Sequence, residues 1–188
     1  MDGPWELSRD QAANDRALRR DAAKLEKILD VLEAVGNHLT IIIPDTNSLL
    51  VEPDPVNYRG IAGTRSLVFV LLPTVLGELD RLKIEHRNPD VRDKAKRTIT
   101  RIKGWRQQGS LPAGVTVDKT IKVIARHNEP DMSKTLSWLD PDVQDDRIIP
   151  SVLEIEAEQP AAQVILVTDD INLQNKAEAA VVEFAETP

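Results

Sequence analysis

Ile41-Ile42-Ile43-Pro44-Asp45-Thr46-Asn47 closes an aliphatic run that begins at Leu39 and is interrupted only by Thr40. A run of this kind fits a strand buried on both faces, as in a parallel sheet covered by helices. The pattern recurs at Leu67–Leu72 and at Gln163–Thr168, with shorter strands expected at Val115–Val117, Ile121–Ala125 and Val181–Phe184. Helices are expected between them at Thr74–His86, Asp90–Gln108, Val143–Glu158 and Asn172–Ala180. Asp90 is read as the cap of the second, whose apolar face is Val91, Ala95, Ile99, Ile102 and Trp105. The stretch from Arg126 to Pro141 reads as loop. Strands alternating with helices predict an α/β fold with a mostly parallel central sheet.

The acids fall at one edge of that sheet. Open α/β sheets bind ligands at the carboxyl ends of their strands. Asp45 lies two residues past the first strand, and Asp169-Asp170 directly follows the strand ending at Thr168. Glu78 sits early in the helix after Leu67–Leu72, and Asp145-Asp146 at the start of the helix before Gln163–Thr168. Each acid alone has a plain structural role as a turn, cap or early-helix residue. Together, carboxylates from four segments repel one another unless a cation sits between them or some are protonated. A hard divalent ion, Mg²⁺ or Mn²⁺, takes oxygen ligands and leaves room for a phosphate.

Four segments, in this order, resemble the PIN-domain nucleases: Ile42-Ile43-Pro44-Asp45-Thr46-Asn47, Leu72-Pro73-Thr74-Val75-Leu76-Gly77-Glu78-Leu79-Asp80, Gln144-Asp145-Asp146-Arg147-Ile148-Ile149 and Leu166-Val167-Thr168-Asp169-Asp170-Ile171-Asn172-Leu173. The resemblance covers Leu39 to about Phe184. It implies a three-layer α/β/α sandwich with strand order 3-2-1-4-5. It also implies a metal-dependent endoribonuclease acting on single-stranded RNA and leaving a 5′-phosphate and a 3′-hydroxyl. The catalytic and metal-binding acids it implies are Asp45, Glu78, Asp146 and Asp170, with Asp169 able to share or take the last role. Thr46, Asn47, Asp145, Thr168 and Asn172 fall at supporting positions. Asp146 is preferred to Asp145 because Ile149 and Leu153 follow it at helical spacing. The interval between Glu78 and Asp146 is longer than is typical of the nucleases of toxin–antitoxin pairs, and the segments Asp145-Asp146-Arg147-Ile148 and Thr168-Asp169-Asp170-Ile171-Asn172-Leu173 look more like the larger RNA-decay nucleases. A toxin nuclease, and a PIN-like module that binds RNA or protein without cutting, are the alternatives.

Composition limits the other classes. The chain has 188 residues, 31 acidic and 24 basic, with a net charge of −7 and no cysteine. A disulfide scaffold, a thiolate zinc site and a cysteine nucleophile are therefore excluded. The apolar runs are far shorter than the ~20 residues of a membrane span. No secretory signal is visible, and a cytoplasmic location is expected. Aromatic residues make up 3%, too few for a platform of stacked bases. The net charge hides a segregation. Residues 81–106 hold ten basic side chains against three acids, leaving −14 for the rest of the chain. Arg81, Lys83, Arg87, Arg92, Lys94, Lys96, Arg97, Arg101 and Lys103 are the expected RNA-binding residues, and Arg106 belongs to the same run. Such a run is also what a solvated helix face looks like. His38, His86 and His127 show no ligand spacing.

Residues 1–38 form an expected helical extension, and 39–188 the expected nuclease domain. Ser8 with Gln11 has capping-box spacing, Leu18, Ala22, Leu25, Leu29 and Leu32 make one apolar stripe, and Gly36-Asn37 reads as a stop. The helix from Ser8 to Val35 either packs on the following domain or serves a homodimer or a partner protein.

Overall fold

β-branched side chains suit a pleated strand and lose freedom in a helix. Three in a row, Ile41, Ile42 and Ile43, form the middle of β1 (Thr40–Pro44), which is buried along its whole length. The computed structural model describes residues 11–35 and 39–188, and of residues 26–35 the backbone alone. The chain divides into two units, residues 1–37 and residues 38–188. In the first, α1 (Gln11–Val35) is a single helix of 25 residues. Leu18 and Leu25 of its stripe are exposed. Ser8, Gly36, Asn37 and His38 lie outside the described residues, as do the side chains of Leu29 and Leu32.

In the second unit β1 is the centre of a six-stranded sheet. Its neighbours are β2 (Leu67–Leu71) and β5 (Gln163–Val167), both parallel to it. The other strands are β3 (Val115–Asp118), β4 (Ile121–Ala125) and β6 (Phe184–Ala185), and the order is β3-β4-β2-β1-β5-β6. Ile42 faces Phe69 on one side and Ile165 on the other. Flanking the sheet are α2 (Thr46–Val51), α3 (Arg59–Ala62), α4 (Pro73–Glu85), α5 (Pro89–Gln108), α6 (Ile148–Glu158) and α7 (Ile171–Ala179). The core is made by Ile42, Ile43, Phe69, Leu71, Leu79, Ile121, Ile149 and Leu166, all fully buried. Each such side chain contributes about 1.5–3 kcal/mol by leaving water. Tyr58 packs edge-on against Phe69 and donates its hydroxyl to Glu52 O at 2.8 Å, so its one polar atom is satisfied. Trp105 is 7% exposed, as its place on the apolar stripe requires.

The structure corrects the expected strand order by one strand. The five parallel strands β4-β2-β1-β5-β6 keep the order 3-2-1-4-5, and β3 adds an antiparallel edge through a hairpin with β4. Two short helices, α2 and α3, were not expected from periodicity, being too short to show it. Asn88, not Asp90, caps α5, accepting from Asp90 N at 2.9 Å with Pro89 in the first turn. Met132–Lys134 makes a 3₁₀ turn inside the expected loop. The last strand is shorter than Val181–Phe184 because Val181 turns out of α7 at φ 60, leaving only Phe184–Ala185 extended in the sheet. The helix expected from Val143 starts as a 3₁₀ turn, Asp145–Arg147, and becomes α-helical at Ile148.

Candidate functional site

Pro44 ends β1, and the chain turns at Asp45 into α2. Asp45 caps that helix, its Oδ1 accepting from Ser48 N at 2.7 Å. Its Oδ2 accepts from Thr168 Oγ1 at 2.5 Å, and its own N–H donates to Val167 O at 2.9 Å. The side chain is thus locked to the end of β5, its neighbour in the sheet. Burial pushes the Asp45 carboxyl above the ordinary aspartate range. The bonds from Thr168 and Ser48 pull it back, and the nearby Asp169 charge adds to the rise.

Glu78 projects from the second turn of α4 and accepts from Thr46 Oγ1 at 2.6 Å. Arg81, one turn further, stands 3.6 Å from Glu78 Oε1 and donates to Gln144 Oε1 at 2.6 Å. Gln144 in turn donates to Thr74 O at 3.1 Å, tying the start of α4 to the 3₁₀ turn that bears Asp145. Asp170 caps α7, its Oδ1 accepting from Asn172 N at 2.7 Å and Leu173 N at 3.2 Å. Partial burial, and then the Asp170 carboxylate, push Asp145 upward.

These groups line one cleft of about 90 Å³: Asp45, Thr46, Asn47, Glu78, Asp145 and Asp170 around a floor of Ile148 and Leu173. Four of its six polar lining residues are acids, delivered by four separate segments. Asp146 is not among the lining residues. It is 4% exposed, accepts from Asp140 N at 2.9 Å and is ion-paired with Lys176 of α7. Asp169 is also turned aside, accepting from Thr187 N at 2.9 Å. Thr187 Oγ1 donates to Ser48 Oγ at 2.8 Å, so the same residue braces the turn behind Asp45. Thr168 is fully buried, and Asn172 is exposed and joins the site through its backbone N–H.

The cleft's charged groups are all carboxylates, which suits a hard divalent ion. Among the described residues no three carboxylate or histidine side chains already stand as a metal cage. Asp45, Glu78 and Asp170 each accept hydrogen bonds from neighbouring hydroxyl or backbone N–H groups. A carboxylate offers about four lone-pair positions, so these bonds leave each with capacity for an ion. The donor chemistry therefore fits Mg²⁺ or Mn²⁺.

The basic side chains divide into two sets. Lys83 pairs with Asp80, Lys96 with Asp93 at 3.2 Å, and Arg101 with Asp54 at 2.8 Å. Arg92 donates to His86 O at 2.6 Å and Arg97 to Asp93 O at 3.4 Å. Arg87, Lys94, Lys103 and Arg106 make no side-chain hydrogen bond or ion pair among the described residues, and all four are exposed. Among the described residues no helix is long and apolar enough to cross a membrane.

Sequence reasoning missed Ser48, Gln144 and Lys176, whose parts are set by partners far along the chain. No local signal marked them, although Lys176 lies one helical turn beyond Asn172.

A mostly parallel sheet with an acid-lined cleft at the carboxyl ends of its central strands places the candidate site where open α/β folds bind their ligands. The PIN-domain family model matches residues 42–187, and the chain belongs to that family. PIN domains are generally nucleases that use divalent metals. A solved domain of a functionally unknown protein from Methanocaldococcus jannaschii DSM 2661 is similar in fold, with a TM-score of 0.51 at 15% identity, covering 79% of this chain and 91% of that one. No curated protein matches the sequence.

Proposed function

We propose that the protein is a divalent-metal-dependent endoribonuclease that cleaves single-stranded RNA. The observation that carries the reading is the cleft itself, where Asp45, Glu78, Asp145 and Asp170 arrive from four segments beside a helix pair rich in positive charge. These four would hold the ion, Asp145 taking the place first given to Asp146. Bound there, Mg²⁺ or Mn²⁺ supplies Lewis-acid polarisation of a phosphodiester and a water of lowered pKa. Asp45 is buried and has both carboxylate oxygens held, by Thr168 and by the Ser48 N–H. Thr46 holds Glu78 in place, and Arg81 at the rim offers a guanidinium to a phosphate oxygen. The free cations of α5 bind the backbone of the strand and steer it to the cleft.

Cleavage of an unstructured RNA, dependent on Mn²⁺ or Mg²⁺ and abolished by Asp45→Asn, is the expected result. Undiminished cleavage by that variant overturns the assignment. A second reading, a module that binds RNA or protein without cutting, draws on the lack of a preassembled cage among the described residues. Calorimetric titration of wild type with Mn²⁺ separates them: binding at the cleft, lost in Asp45→Asn, favours the nuclease, and no binding favours the module.

A further inference from the structure

We propose that the cleft between α4, α5 and the end of β4 seats a nucleobase of the RNA strand, with Lys103 and Arg106 holding its phosphate; this rests on the reading of the protein as an RNA-cleaving enzyme. The cleft encloses about 300 Å³, at the lower end of small-ligand sites. Its apolar walls include Leu76 of α4, Ile99 and Ile102 of α5, and Leu111. Lys103 and Arg106 stand on the same face of α5 as Ile99 and Ile102, at helical spacing. Neither cation has a protein partner among the described residues. Arg126, at the other side, is by contrast taken up by Glu158 and Glu154, and Asp80 by Lys83.

Two unpartnered cations beside dry walls are a mixed site. A bare phosphate has no use for the walls, and an aliphatic ligand none for the cations. A nucleotide uses both, the base shielded by Leu76 and Ile99 and stacked on the Arg106 guanidinium plane. The position fits a strand already engaged at the acids. Leu76 and Asp80 are four residues apart and share one face of α4, while Glu78, midway between them, points from the opposite side. The acidic cleft and the base cleft therefore flank a single helix, about 10–12 Å across, a span a single strand crosses in a few nucleotides.

The test measures binding of a short unstructured RNA in EDTA by fluorescence anisotropy. Wild type, Ile99→Trp and Arg106→Ala are each titrated with intact RNA and with RNAs carrying one abasic residue at successive positions. Filling the cleft with Ile99→Trp should weaken binding about tenfold, the worth of one stacked base. One abasic position should cost wild type the same and cost Ile99→Trp nothing further. Arg106→Ala should weaken binding of every RNA and lower its salt dependence. Equal affinity of wild type for intact and abasic RNA at every position overturns the base site while the RNA reading stands. A wild-type protein that neither binds RNA nor cuts it in Mn²⁺ overturns the RNA reading and the base site with it. Should Ile99→Trp fail to fold, as judged by its melting curve, the abasic series on wild type and Arg106→Ala decides alone.

Discussion

Thr46 Oγ1 donates to Glu78 Oε2 at 2.6 Å, joining the first residue of α2 to the second turn of α4 across 32 positions of sequence. Thr46 is itself buried, while the Glu78 carboxylate stands partly open to the cleft. Partners of this kind orient a metal ligand, and their loss typically costs 10–100-fold in metal affinity or activity. Thr46→Val should lower RNA cleavage and weaken Mn²⁺ binding by roughly that factor. Thr46→Ser, which keeps the hydroxyl, should restore most of both. Equal loss in the two variants would mean that Thr46 acts by packing alone.

Asp45 is held above its ordinary pKa, chiefly by burial. The folded protein then binds a proton at this site more tightly than the unfolded chain does. Stability therefore falls as pH rises from the ordinary carboxylate range through the raised value, with the metal-free penalty complete above it. Asp45→Asn should flatten that part of the pH–stability curve. It should also stabilise the metal-free protein near neutral pH, because burying a neutral amide costs less than burying a carboxylate. Urea melts from pH 4 to pH 8 in EDTA measure both. Adding Mn²⁺ should raise the Tm of wild type and leave Asp45→Asn unmoved.

The neighbours Asp145 and Asp146 should behave as opposites. Asp145 lines the acidic cleft and lies near Asp170. Asp145→Asn should abolish metal-dependent cleavage with little change in stability. Asp146 is buried against Lys176, and losing one member of a buried pair strands the other. The Lys176 side chain is 30% exposed, so the cost is screened. Asp146→Ala should destabilise by about 1–3 kcal/mol while the folded fraction keeps cleaving. Chemical melts and cleavage rates on the same samples distinguish the two residues.

Salt should separate the two sets of basic residues. A single-strand contact to one phosphate contributes about 0.7 to the slope of log K against log salt. Lys94→Ala and Lys103→Ala, which remove unpartnered cations, should each lower the slope by about that amount. Lys83→Ala and Arg101→Ala, whose charges already face Asp80 and Asp54, should change it less.

What was readable in the sequence was what repeats locally. Ile41–Ile43, Leu67–Leu71 and Val164–Val167 are apolar runs, buried on both faces but for the half-buried Val68, and their contents announce it. The acids at their ends could be placed from strand ends alone. The preference for Asp146 over Asp145 rests on one α-helix from Val143, counted at 3.6 residues per turn. The chain winds at about three per turn through Asp145–Arg147, which rotates one acid into the cleft and its neighbour into the protein. Asp90 was misjudged as a cap although Asn88-Pro89 carries the stronger signal, a capping side chain before a first-turn proline. Contacts such as Ser48 with Thr187 join the two ends of the domain. No window of sequence contains them.

The bond from Thr168 to Asp45 spans 123 positions, and the strand that carries Thr168 is a direct neighbour of the one that ends at Asp45. Chains emerge from the ribosome in order, at about 5–20 residues per second. The first acid of the cleft is therefore made early and stays unbraced until almost the whole domain has been synthesised. Asp170 arrives later still. A nascent chain therefore has no complete acidic cleft until translation of the domain is all but finished.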